Sequence, residues 1–390
     1  MTRNGQQILM PLILMVMLTV STMAHETQTD PPLPFAFSIS GGSNAVLNPW
    51  KDRVVNFHIS LFSGQVHGVD GMQIGLISNR VTGDFHGYDA TGISSRIDGN
   101  FNGFQAGALS NNIGGNFIGM QSGGIYNKIG SNYFGMQSAG IVNVVGESFI
   151  GMQTGGIFNK VGGDFLGLQT SGIFNEVDGD FTGLQISGIR NESGNIKHVQ
   201  ISGVSNKAED VEGVQIAGIV NKAGHVRGVQ IGLVNRSEEL DGIALGLVNL
   251  SESGSVHIVS WASDMEDYQV GIKFAPNDYW FTILTIGQQM HTLEEKQLTS
   301  FETHMGFHLP LVAKFFTEID LGTGNTIPND FFAWESNDYE RFTEARISLG
   351  LQITPRLSIF AGLSNRRTYD NLDSWSGSTV EARPFFGIQI

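Results

Sequence analysis

The chain has 390 residues, with 37 Asp and Glu against 22 Lys and Arg and a formal charge of −15, an excess that argues against nucleic acid and anionic head groups as partners. It has no cysteine, which excludes disulfides, thiolate metal sites, a cysteine nucleophile and a lipidated N-terminal cysteine. Only 15% of its residues are charged, 51 are glycine and 41% are hydrophobic, a balance that fits an exported β-rich protein and not a disordered one.

In chain order, residues 1–24 read as a signal peptide. Arg3 lies in a short polar start, an apolar run extends from Ile8 to Val20, and Thr22-Met23-Ala24 offers small residues for cleavage. The alternative is an uncleaved anchor, although the run is short for a membrane-spanning helix. Residues 25–34 are a polar, proline-rich lead-in, expected as a flexible spacer. Residues 35–70 hold two strand-like runs, beginning at Phe35 and Val54. They are either the N-terminal cap of a repeat array or strands that join the C-terminal sheet.

Residues 71–250 are a tandem repeat. A leading glycine recurs at Gly71, Gly87, Gly103, Gly119, Gly135, Gly151, Gly167 and Gly183, then His198, Gly213, Gly228 and Gly242 complete twelve units. Glutamine stands two residues later in most units, as at Gln73, Gln105, Gln121 and Gln137, and asparagine closes the half-unit, as at Asn79, Asn111, Asn127 and Asn143. An aliphatic column (Ile77, Ile93, Ile125, Ile141) and an aromatic one (Phe85, Phe101, Phe117, Tyr133) complete the pattern.

Units of about 14–16 residues suit two short strands and two tight turns, with Asn, Gly and Asp supplying positive φ at the turns. As coils of a β-solenoid they would stack at about 4.8 Å, placing Gln on Gln, Asn on Asn and Phe on Phe over roughly 55 Å. That explains why particular polar residues recur where a plain strand needs only alternation. No proline occurs between Lys51 and Ala275, as continuous sheet requires. The rival geometry is an antiparallel meander of hairpins.

Residues 251–390 obey another grammar. Eight alternating runs predict strands at 256–262, 268–274, 280–288, 300–309, 313–321, 342–353, 356–363 and 383–390. Ile347, Leu349, Leu351 and Ile353 face one way and Arg346, Ser348, Gly350 and Gln352 the other. One apolar face and one face with charge is the pattern of an outer-membrane β-barrel, the alternative being a soluble antiparallel barrel or sandwich. Trp261, Tyr268, Tyr279 and Trp280 are expected in aromatic girdles, and Gly322 to Glu340 as a long polar loop. The expected fold class is therefore all-β, a solenoid-like repeat array followed by an antiparallel meander or barrel of about eight strands.

Units such as Gly228-Val-Gln-Ile-Gly-Leu-Val-Asn and Gly242-Ile-Ala-Leu-Gly-Leu-Val-Asn resemble a bacterial surface-repeat family of leptospiral type over about 180 residues. The resemblance implies an exported or surface protein and no chemistry. Two units depart from the pattern: Gly87-Tyr-Asp-Ala-Thr-Gly-Ile-Ser-Ser lacks both Gln and Asn, and His198 replaces a leading glycine. Those departures put the local continuity of the ladders in question, not the resemblance.

Catalytic, nucleotide-binding and metalloprotease motifs are absent from the sequence, so no catalytic, cofactor-binding or metal residue is assigned and the chain is expected not to be an enzyme. His304 and His308 sit four apart, which on a strand means only one face. Glu318, Asp320, Lys314 and Arg346 are expected to pair inside the barrel. Asp84, Asp164 and Asp180 share one repeat position and are expected as turn residues, not as a calcium ladder. Asn191, Asn235 and Asn249 start glycosylation sequons. The expected function is a structural or adhesive one at the outer membrane or cell surface, the repeated Gln and Asn presenting a flat face to a protein or glycan ligand and residues 251–390 meeting outer-membrane lipid. A channel or transporter is the alternative.

Overall fold

The computed structural model describes residues 30–40, 49–107, 109–264, 268–289, 298–328, 340–369 and 382–390. The expected signal peptide, most of the lead-in and residues 329–339 of the expected loop lie outside them. The chain is all-β, a solenoid followed by a closed eight-stranded antiparallel barrel. It divides into two compact units, residues 1–179 and 180–390, so the second holds the last coils and the barrel.

In the first unit the coils from Phe85 onward each have a seven-residue strand and a four-residue strand, such as Phe117–Gly123 and Tyr126–Ile129. Every coil pairs with the next in parallel and in register: Gln121 lies beside Gln105 on one side and Gln137 on the other. A meander would pair these strands antiparallel, so the solenoid geometry holds. Residues 54–66 form a further coil of the same kind, and Ala36–Ser38 pairs with its long strand. The 35–70 segment is thus the cap. Leu33 already hydrogen-bonds to Val54 and Asn56.

The coil interior takes one aromatic, one amide from each strand and one aliphatic. Phe85, Phe101, Phe117, Tyr133, Phe149 and Phe165 are buried, with ring centroids 4.7–4.8 Å apart and planes nearly parallel. Burial of each ring is worth about 2–3 kcal/mol, and the stacking adds about 0.5–1.5 kcal/mol. Val81, Ile97, Ile113 and Ile129 close the opposite wall.

The repeat's glycine acts elsewhere than expected. Positive φ occurs in the middle of the long strand, at +131° in Gly119 and similar values in its equivalents, and not at the Asp and Asn turns. A Cβ on Gly119 would fall on the carbonyl oxygen of Gly103 in the preceding coil. The leading glycine is therefore required twice over, by conformation and by stacking distance.

The polar columns form two ladders running in opposite senses. Gln121, Gln137, Gln153 and Gln169 each donate Nε2–H to the glutamine one coil earlier, all at 2.8 Å. Asn111, Asn127, Asn143 and Asn159 donate to the asparagine one coil later at 2.9–3.0 Å. Each of these asparagines also bonds a backbone carbonyl of the adjoining long strand. Buried amides so paired avoid the roughly 1–3 kcal/mol cost of an unmet polar group.

In the second unit the coils continue from Phe181–Ser187 to Val248–Ser251. Ile196, Val211, Val226 and Leu240 take the aromatic position, and both ladders persist through Gln230 and Asn249. The barrel strands are Ser255–Ser263, Tyr268–Ala275, Trp280–Gln289, Leu298–Pro310, Phe315–Pro328, Glu340–Thr354, Leu357–Tyr369 and Arg383–Gln389. The first pairs with both the second and the eighth, which closes the sheet. The fifth strand runs on to Pro328, so residues 322–328 are strand and not the start of a loop.

The barrel covers the last coil. Asn277, in the turn between the second and third barrel strands, donates to the carbonyl of Gly242 at 2.8 Å, and Trp280 Nε1 donates to that of Ala244 at 2.7 Å. Carbonyls on the edge of the final long strand, otherwise open to pairing with another chain, are thereby occupied.

Candidate functional site

Barrel side chains alternate as the sequence predicts, and the sense of the alternation is the informative part. Outward residues are apolar on every strand, among them Ile258, Val270, Ile286, Phe307, Ile319, Ile347, Leu363 and Phe386, with Ile347 52% and Leu349 55% exposed. Inward residues include buried Lys273, Glu302, His304, Glu318, Asp320, Glu344 and Arg346. Charge inside and hydrocarbon outside inverts the arrangement of a water-soluble barrel.

Two ion networks fill the interior. In the first, Arg346 Nε lies 2.8 Å from Asp320, and its guanidinium covers the Trp261 ring at 4.3 Å. His304 meets Asp320 through Nδ1 at 3.0 Å and Glu302 through Nε2 at 2.9 Å, a demand that only the doubly protonated ring satisfies with both donors. Arg366 reaches Glu302 at 2.6 Å and Glu344 at 3.3 Å. In the second, Glu318 accepts from Lys273 and, at 2.8 Å, from His308. Lys273 also donates to Gln389 at 3.0 Å.

The expected cluster of Glu318, Asp320 and Arg346 is present, without Lys314. That lysine precedes the fifth strand, is exposed, and turns to the carbonyl of Ile353. The cation beside Glu318 is Lys273, which the sequence reading missed, although Gln269, Gly271 and Lys273 alternate visibly with Tyr268, Val270 and Ile272. Trp261 is likewise not a girdle residue. It shares the inward parity of Val259 and packs with Phe281, Ile283 and Phe385. Trp280 is also buried, against the last coil, while Tyr268 and Tyr279 are exposed at strand ends.

The middle of the interior is filled, while toward the end that carries Ser255 and Pro355 a cavity of about 490 Å³ is lined by His257, Lys273, His308 and Gln389. Donor atoms of Glu302, His304 and Glu344 lie within 4.8 Å of one another, a spacing compatible with a metal ion. Arg366 stands between the two carboxylates and supplies the positive charge an ion would bring. Among Trp261, Glu318, Asp320 and Arg346 only about 10 Å³ is free, at most one water.

On the solenoid the expected binding face is corrected. The repeated Gln and Asn are 0–3% exposed and point into the coil, because Gln shares the inward face of the long strand with the aromatic and Asn that of the short strand with the aliphatic. Asn191, Asn235 and Asn249, the sequon residues, belong to this buried ladder. What faces outward is an apolar column on the long strands, Tyr88, Phe104, Met120, Met136 and Met152, and a corner ridge of Ile93, Leu109, Ile125, Ile141 and Ile157. Asp84 and its equivalents also have a different role from that expected. Asp84, Asn100, Asn116 and Asn132 each accept the backbone N–H of the equivalent residue one coil later, at 2.7–3.2 Å. They tie turn to turn.

No protein-family model matches the chain, and no curated protein matches it. Solved structures similar to part of it include a chain described as "De novo design of transmembrane beta-barrels", at 14% identity, and Neisserial surface protein A, at 9%. The matches cover 34% and 35% of this chain and 90% and 92% of those chains, each with a TM-score of 0.22. At that score neither likeness carries an argument.

Proposed function

We propose that this chain is a non-enzymatic outer-membrane protein in which the barrel is the anchor and the solenoid a rigid structural or binding arm. The observation that carries the reading is the inverted barrel: an apolar exterior on all eight strands around buried, mutually paired ions. In water that exterior would be a patch far larger than monomers tolerate. In a bilayer it is the required surface. The resemblance of the repeats to the leptospiral-type surface family agrees with export.

The anchor reading is preferred to a channel because the interior is occupied. Eight strands give a bore just wide enough for side chains to fill, and here Trp261, Phe281, Phe385 and the two ion networks close its middle, beyond which a cavity of about 490 Å³ opens toward the end carrying Ser255 and Pro355. A partner of the arm meets the outward Tyr, Phe and Met column, since the amides are inside. That chemistry suits a protein surface better than a polar glycan. Recovery of the full chain in the outer-membrane fraction, with no conductance steps in planar bilayers, is the expected result. Regular single-channel steps would replace the anchor with a pore, and recovery in the soluble periplasm would remove the membrane from the account.

A further inference from the structure

The two ends of the barrel differ. One end carries the connections 276–279, 311–314 and 355–356, together with the entry at Ser255 and the last residue, Ile390. At the other end the strands stop at Ser263, Gln289, Pro328 and Tyr369 and resume at Tyr268, Leu298, Glu340 and Arg383, so that 4, 8, 11 and 13 residues of sequence separate them. In outer-membrane barrels the short connections lie in the periplasm and the long ones outside the cell. The last coil is fixed to the short-turn end: Asn277 and Trp280 hold the Gly242 and Ala244 carbonyls, and Asn249 Nδ2 reaches Thr282 Oγ1 at 3.1 Å.

The same end bears the marks of a lipid–water boundary. A groove of about 920 Å³ runs between the last coils and the barrel rim. Tyr279 and Phe307 on the rim side are exposed, and Phe307 is continuous with the apolar belt. The coil side carries Asp180, Asp210, Glu212, Glu239 and Asp241 against Lys197 and Arg227, an acidic excess. Exposed aromatics at the strand ends are what the interfacial zone accommodates.

We propose that the coils attached to the barrel stand on the periplasmic side of the outer membrane, and that the cell exterior sees only the connections at the opposite end of the barrel. The placement rests on the outer-membrane reading above, and it changes the class of partner. Whatever the arm contacts there is a component of the periplasm or the inner leaflet, not a ligand outside the cell.

The absence of cysteine makes the test clean, because each introduced thiol is the only one. Full-length Glu212→Cys, Asn337→Cys and Asn371→Cys are expressed and treated with a membrane-impermeant maleimide in intact cells and after outer-membrane permeabilisation. The placement requires Asn337→Cys or Asn371→Cys to label in intact cells, and Glu212→Cys to label at least tenfold more after permeabilisation. Equal labelling of Glu212→Cys before and after overturns it, as does failure of both connection sites to label in intact cells. If the protein is instead soluble and its mobility does not change on boiling, the outer-membrane reading itself fails, a result distinct from either.

Discussion

Gln105 donates Nε2–H to Asp89 across 3.0 Å, and from that bond onward the interior glutamines point back toward the preceding coil. On the other side Gln73 donates to the same carboxylate at 3.1 Å. Asp89 is fully buried and also accepts from Thr91 and Ser95. The unit that lacks both Gln and Asn therefore reverses the glutamine ladder without breaking it. The asparagine ladder does break there, because Ser95 gives its proton to Asp89 and Asn111 Oδ1 is left without a partner.

Asp89→Ala removes the acceptor of four buried donors, so a loss of at least about 3 kcal/mol is expected. The triple change Asp89→Gln, Thr91→Gly, Ser95→Asn restores the regular unit and should recover most of that loss. Thermal unfolding of the full chain in detergent, followed by circular dichroism, compares the two. A neutral Asp89→Ala would show that the reversal point is not a structural requirement.

His198 occupies a leading-glycine position with φ of 94°, a conformation that costs a residue with a Cβ about 1–3 kcal/mol. His198→Gly should raise the stability of the second unit by about 1 kcal/mol once glycine's extra chain entropy is deducted. Slower exchange of the amides in Ile196–Ser202 is the readout. Unchanged or faster exchange would mean that the histidine compensates its strain.

At the N-terminal end His58 takes the glutamine position, between Ser38 and Gln73. Burial lowers its pKa below the ordinary 6.5, against the opposing pull of the Gln73 hydrogen bond and the Asp89 charge. The unfolded chain thus takes up this proton first as pH falls. The cap's stability is then full above about pH 6.5 and is lost as pH drops toward the folded-state value. The protection factors of the amides across Val54–Ser60, corrected for intrinsic exchange at each pH, should fall as pH drops below about 6.5 in the natural chain. His58→Gln, which continues the amide ladder, should abolish that dependence, and persistence of it would assign the effect to another group.

Lys273→Met leaves Glu318 buried without its lysine, keeping the His308 hydrogen bond. Breaking such a pair costs about 3–5 kcal/mol. The double variant Lys273→Met, Glu318→Gln should unfold closer to the natural barrel than Lys273→Met does. A single variant as stable as the double would contradict the pairing.

The architecture was legible from spacing because an in-register parallel stack needs like on like, and Gln121, Gln137 and Gln153 announce it. Facing was not legible. Alternation places Gln137 and Met136 on opposite sides without saying which is inside, and the polarity habit of soluble proteins chose wrongly. Turn chemistry misled in the same way, since Asp84 acts through its carboxylate on the next coil's backbone and not through φ. In the barrel, Gly322-Thr-Gly-Asn-Thr reads as loop by composition, yet it pairs with both neighbouring strands. Lys273 and Trp261 were recoverable from strand parity alone.

The central claim is that residues 255–390 close as a membrane-embedded barrel. The most direct measurement is electrophoretic mobility of the outer-membrane fraction with and without boiling. A compact fast-migrating form that shifts to the full mass on boiling is the predicted result. Recovery of the chain in the soluble fraction, with one mobility under both conditions, would contradict it.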